Sequence, residues 1–253
     1  MDFPSYCALI LHPSAGPILY DTGYSDRFRE ATEGFPGRLY RWITPVRLRP
    51  EERLEAQLAG HGLRPEDVGT VFVSHLHADH VSGLRDLPRA RFVMLRQEMA
   101  STLGRRGFAA LRRGFLPDLL PADFARRADC ADERAVVDLG ASWRPFDRGL
   151  DLLGDRSLVG VPLPGHTPGQ LGLLLVDQAG RDVLLAGDAC WSGRAWREQR
   201  LPSVLARPLM HDWRRYVETL AGLKTLAERN PGLCIVPSHC EASARELGRH
   251  GPR

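Results

Sequence analysis

The chain has 253 residues, 43% of them hydrophobic and 26% charged, a globular balance that excludes a disordered, collagenous or coiled-coil protein. Its formal charge is only +3, and 33 of its 34 basic residues are arginine, Lys224 being the exception, which reads as compositional bias rather than a nucleic-acid surface. No apolar run reaches the roughly 18 residues of a membrane span, and the amino terminus lacks the basic-then-apolar pattern of a secretion signal. A soluble, cytoplasmic protein with no nucleic-acid or membrane partner is expected. Five scattered cysteines without a CxxC pair indicate reduced, structural thiols.

In chain order, Tyr6 to His12 and Pro17 to Thr22 are apolar runs around the turn Pro13-Ser-Ala-Gly16, which predicts a hairpin ended by Asp21-Thr-Gly23. The stretch from Tyr24 to Trp42 has no clear periodicity. Pro50-Glu-Glu opens a helix closed by Gly60 or Gly62. Gly69 to Ser74 has the β-branched and aromatic content of a buried strand and runs straight into His75-Leu-His-Ala-Asp-His80. Arg91 to Leu95 is another strand, and residues 97–128 form a helical insertion within a single domain spanning 1–253.

Strand-like runs follow at 135–139, 150–153, 157–163, 171–176 and 182–186, spaced closely enough for antiparallel pairing. His211 to Arg229 has helical apolar spacing, Leu233 to Val236 is a last strand, and a closing helix starts at Glu241.

Three of the nine histidines share one six-residue window. Imidazole nitrogen and carboxylate oxygen are the usual donors to zinc and similar divalent ions, and His-x-His-x-Asp-His places four of them on one tight loop. Alternation sends His75 and His77 to one side, while Asp79 and His80 lie beyond the turn and face a neighbouring ion. Four loop donors do not complete two coordination shells, so further donors are expected at strand ends downstream. His166 stands in Pro164-Gly-His-Thr-Pro168, Asp188 follows Val183-Leu-Leu-Ala-Gly187, and His239 follows Cys234-Ile-Val-Pro-Ser238. His12, His61, His211 and His250 read as structural, as do Cys190 and Cys240 beside the last two donors.

HLHADH, PGHTPGQ, GDA and PSH, in this order, resemble the metallo-β-lactamase superfamily of metal-dependent hydrolases over roughly residues 5–245, and Asp21-Thr-Gly23 resembles the family's early turn. The resemblance implies an α/β fold, a four-layered αββα sandwich with the site at one edge of its two sheets. It implies two divalent metals, zinc first and iron or manganese also accepted: His75, His77 and His166 on one, Asp79, His80 and His239 on the other, Asp188 bridging. It further implies attack by a metal-held hydroxide on an ester carbonyl, with Asp79 as the proton carrier.

The gaps between motifs, and the order of Tyr6-Cys-Ala-Leu-Ile, Leu19-Tyr-Asp-Thr-Gly and Pro50-Glu-Glu-Arg-Leu, are similar to acyl-homoserine lactone hydrolases. One departure is Trp191, where those enzymes commonly carry a tyrosine; an indole offers an N–H donor but no phenol. The implied substrate is a small-molecule lactone or other ester. The alternatives are an acyl thioester of coenzyme A or a carrier protein, and a metal-binding protein without turnover. The oxygen-reducing branch typically has Glu where this chain has His77. Trp42 and Phe115, with Phe35, Tyr40 and Phe108, roof an acyl pocket or else form a homodimer interface or core.

Overall fold

The two apolar runs around Pro13-Ser-Ala-Gly16 pair as the hairpin expected: β1 (Ala8–His12) and β2 (Gly16–Tyr20) are antiparallel, with Ala8 opposite Tyr20 and His12 opposite Gly16. The computed structural model describes residues 3–248, and His250 lies outside the described residues. Two compact units form: residues 7–94 with 99–129, and residues 3–6 and 95–98 with 130–248.

In the amino-terminal unit, β2 is followed by α1 (Asp26–Ala31), α2 (Gly37–Ile43) and α3 (Leu54–Ala59). Ser25 caps α1 through its hydroxyl, accepting from the Arg27 N–H. The helix expected from Pro50 is split: Pro50–Glu52 is a 3-10 turn, Arg53 is extended, and only then does α3 run to its cap at Gly60. The strand β3 (Thr70–Phe72) lies between β2 and β4 (Arg91–Met94), parallel to both. Val71, Phe72 and Val73 are fully buried, which is why this segment reads as a continuous apolar run and not an alternation.

Between β3 and β4, Ala78–Val81 makes the single turn α4. Then α5 (Arg96–Thr102), α6 (Gly107–Leu111) and α7 (Phe124–Arg127) fill the stretch expected to be helical, and β5 (Ala128–Cys130) completes a five-stranded sheet in sequential order. Its core gathers Leu19, Phe28, Val71, Leu76, Phe92 and Phe115.

The carboxyl-terminal unit is a six-stranded sheet: β6 (Val136–Asp138), β7 (Arg148–Asp151), β8 (Leu158–Pro162), β9 (Leu171–Val176) and β10 (Asp182–Gly187), each antiparallel to the next. After α8 (Gly193–Glu198) and α9 (Trp213–Arg229), β11 (Cys234–Pro237) joins beside β10 in parallel, and α10 (Glu241–Gly248) follows. The buried stripe of α9, Leu220, Leu223 and Leu226, shares a core with Val161, Leu184 and Ile235. The five cysteines form no disulfide, and Cys190 is fully buried in this core.

Candidate metal centre

Parallel strands bring their carboxyl ends side by side, and donors placed just after those ends become neighbours. In the amino-terminal unit, Tyr20 of β2 lies opposite Phe72 of β3, so Asp21 and Ser74 emerge together. The Asp21 carboxylate accepts from the Ser74 N–H and hydroxyl, both at 2.7 Å, and from His80 Nδ1 at 2.7 Å. Asp21, Ser74, His75 and His80 are buried. The Ser74 hydroxyl is also 2.9 Å from His75 Nδ1. Since that hydroxyl gives its proton to Asp21, it accepts from His75, and both His75 and His80 carry their proton on Nδ1. The ring nitrogen that keeps a lone pair is then Nε2, the form a metal requires.

His77 is half-buried and caps α4, whose first turn presents Asp79 and His80. The His75 ring meets those of His77 and His80 at centroid distances of 4.5 and 4.0 Å. Behind His77 stands Gly114 at φ +61°, where a Cβ would come within 2.7 Å of the imidazole, and the Gly114 carbonyl accepts the Ala78 N–H.

In the carboxyl-terminal unit, Gly187 of β10 is opposite Pro237 of β11, which makes Asp188 and His239 adjacent. His239 Nε2 lies 3.1 Å and His166 Nε2 3.4 Å from the Asp188 carboxylate. His239 donates from Nδ1 to the Pro4 carbonyl at 2.6 Å and stacks on Phe3 at 4.1 Å. His166 Nδ1 is 3.3 Å from Met210 Sδ. The Pro164-Gly165 turn is seated on the start of α9, since a Cβ on Gly165 would lie 2.4 Å from the Tyr216 backbone and the Thr219 hydroxyl donates to Pro164.

Every proposed donor thus sits in one of two groups: His75, His77, Asp79 and His80 in the amino-terminal unit, and His166, Asp188 and His239 in the carboxyl-terminal one. The donor chemistry fits a cation. A neutral imidazole has one N–H, and for His239 the Pro4 carbonyl takes it, so at Asp188 a nitrogen lone pair faces a carboxylate. The same holds for His80, held by Asp21 on one side with Nε2 3.4 Å from the Asp79 carboxylate on the other. Positive charge must reconcile these facing acceptors, as a second ring proton or as a metal ion, and nitrogen with carboxylate oxygen suits zinc and its neighbours.

Trp191 donates its indole N–H to Asp188 at 3.0 Å, so its one polar handle is committed to that carboxylate. Phe115 belongs to the core of its unit and Tyr40 packs against that core, whereas Phe35, Trp42 and Phe108 are exposed. Cys240 lies beside His239 and accepts from the Gly193 N–H and Ser243 hydroxyl, both at 3.2 Å. His211 is exposed and touches the site through its backbone, donating to the His166 carbonyl. Asp21, Ser74, Gly114 and the carbonyl of Pro4 are supporting residues that motif reading does not single out by role. Asp21 in its strand-ending turn and Ser74 immediately before the histidine motif are the signals that point to two of them.

The family model described as the metallo-beta-lactamase superfamily matches residues 1–239. The N-acyl homoserine lactonase AttM of Azorhizobium caulinodans is 30% identical over 235 residues, covering 91% of this chain and 80% of the relative. Among solved structures, a B. thuringiensis AiiA variant with N-decanoyl-L-homoserine bound at its active site superposes with a TM-score of 0.69 at 18% identity, covering 97% of this chain and 85% of that one. AidC, a dizinc quorum-quenching lactonase in complex with N-hexanoyl-L-homoserine, gives 0.64 at 16% identity, with 96% and 74% covered. These two likenesses show the fold.

Proposed function

Because this chain belongs to the metallo-beta-lactamase superfamily, we propose that it is a dinuclear metal-dependent hydrolase that opens a small-molecule lactone or related ester. We assign His75, His77 and His166 to one divalent cation, Asp79, His80 and His239 to a second, and Asp188 to both. Bound there, two cations supply a nucleophilic hydroxide at neutral pH and a Lewis acid for the carbonyl oxygen and departing alkoxide.

The observation that carries this reading is the pair of imidazoles, His80 and His239, each fixed through Nδ1 by an acceptor and turning Nε2 toward a carboxylate. Opposed acceptors buried in two places call for positive charge, and two divalent cations would supply it at both while leaving the imidazoles neutral. Zinc is favoured by the donor set and by the dizinc relative. We assign to Asp79, whose side chain is still 14% exposed, the task of taking a proton from the nucleophile and returning it to the leaving oxygen. Trp191, its N–H held by Asp188, steadies that carboxylate and offers the substrate a ring edge rather than a donor.

The lactone assignment is supported by the lactonase relative and by the acyl-homoserine products named in the related structures. The test is metal analysis of the purified protein coupled to turnover of lactones, aryl esters and acyl thioesters of increasing chain length. Two divalent metals per chain and the highest kcat/KM on a lactone are expected. Turnover confined to thioesters would reassign the substrate to the acyl-thioester class, and metal without turnover on any of the three would leave a binding protein.

A further inference from the structure

Residues 34–49 and 99–117 contain eight arginines and no aspartate or glutamate, in a chain whose basic and acidic totals nearly balance at 34 and 31. Both stretches belong to the amino-terminal unit, and the fold brings them together: α2 packs against α6, and Phe35 meets Phe108 edge to face at 5.4 Å. Around that contact the large apolar side chains point to solvent. Ile43 is 83% exposed, Phe35 72%, Trp42 69% and Phe108 53%.

Many arginines elsewhere in the chain are ion-paired, and within these two stretches Arg49 bridges Glu51 and Glu52. Arg27, Arg64, Arg144, Arg194 and Arg245 each pair with an acid three or four residues away. Arg38, Arg41, Arg47, Arg106 and Arg112 have no ion pair among the described residues, and all but Arg41 are exposed. Arg38 instead donates to the backbone carbonyl of Glu33.

An exposed isoleucine, tryptophan and two phenylalanines interleaved in the chain with exposed arginines need a partner that is both apolar and anionic. A second copy of the same face does not supply it, because an isologous contact would set each arginine cluster against its own like charge. Nucleic acid would satisfy the arginines and leave Ile43, which has no stacking face, in water. A phospholipid surface meets both needs: aromatic and aliphatic side chains enter the boundary between headgroups and acyl chains while guanidinium groups remain at the phosphates.

We propose that the α2–α6 face docks this protein peripherally on an anionic bilayer. Such attachment needs no membrane span, and no described helix is long and apolar enough to be one.

The experiment is co-sedimentation of the full chain with vesicles of phosphatidylcholine alone and of phosphatidylcholine mixed equally with phosphatidylglycerol, at low salt and at about 0.5 M salt. Preferential binding to the anionic vesicles, weakened by salt, is expected. The triple variant Arg38→Glu, Arg106→Glu, Arg112→Glu should lower that partition by about a hundredfold, with an unchanged urea midpoint showing that it is folded. On anionic vesicles the wild-type tryptophan emission should shift to the blue, and Trp42→Phe should remove that shift. Failure to bind anionic vesicles, or binding indifferent to the triple variant, overturns the proposal. So does arginine-dependent binding of duplex DNA or RNA without vesicle binding, or a dimer in solution that the triple variant dissociates.

Discussion

Asp21 is one carboxylate with three buried donors, two from Ser74 and one from His80, and it occupies the left-handed region at φ 59°, where non-glycine residues are uncommon. Asp21→Ala removes the acceptor and leaves those donors buried. A loss of roughly 3 kcal/mol in urea denaturation is expected, together with loss of bound metal, because the tautomers of His75 and His80 are no longer imposed. Gly114→Ala acts on His77 from behind. The φ of +61° and the approach to the ring should cost about 1–2 kcal/mol and lower metal per chain, whereas Gly104→Ala, at φ +81° with open space around it, should cost stability and spare the metal. The seven proposed donors are legible as candidates because each follows a strand-like run or sits in the His75–His80 cluster. Asp21 was visible only as a turn, since its partners lie more than fifty residues away and only the pairing of β2 with β3 brings them close.

Turns between strands are built on similar local acceptors, and one of them gives a pH signature. Asp177 closes the β9–β10 turn. Its burial pushes the carboxyl pKa up, but hydrogen bonds from the Arg181 N–H and guanidinium and the Ala179 N–H prevail and hold it below the usual value. A depressed folded pKa contributes stability that is full above the unfolded value, about 3.9, and is lost as pH falls through the folded one. Asp177→Asn should therefore cost about 1 kcal/mol at neutral pH, and the gap between the urea midpoints of variant and wild type should narrow as pH falls below the unfolded value and through the depressed folded one; a constant gap would show that charge plays no part.

At this scale the strands with strong apolar runs, β8 to β11, were readable nearly to their ends. α2 was not, because none of its residues is buried and no periodicity marks it, and β5 is three residues long. α8 is started by the Ser192 hydroxyl directly after the Asp188 motif, where the sequence reads as loop.

Across the whole molecule, the small net charge conceals two opposite local features. The stretches 34–49 and 99–117 concentrate arginine without an acid, and the proposed donor residues concentrate nitrogen lone pairs with carboxylates. Neither is visible in a composition that is close to neutral. Asp188 is the donor assigned to both cations, and an amide in its place bridges two cations poorly. The most direct measurement is the number of divalent metal ions bound per chain, taken with lactone turnover, for wild type and Asp188→Asn. Two ions and turnover are expected in the wild type, and one or fewer with kcat/KM down by about a hundredfold or more in the variant, roughly the loss of 3 kcal/mol of transition-state stabilisation. Two ions and undiminished turnover in Asp188→Asn would contradict the dinuclear reading.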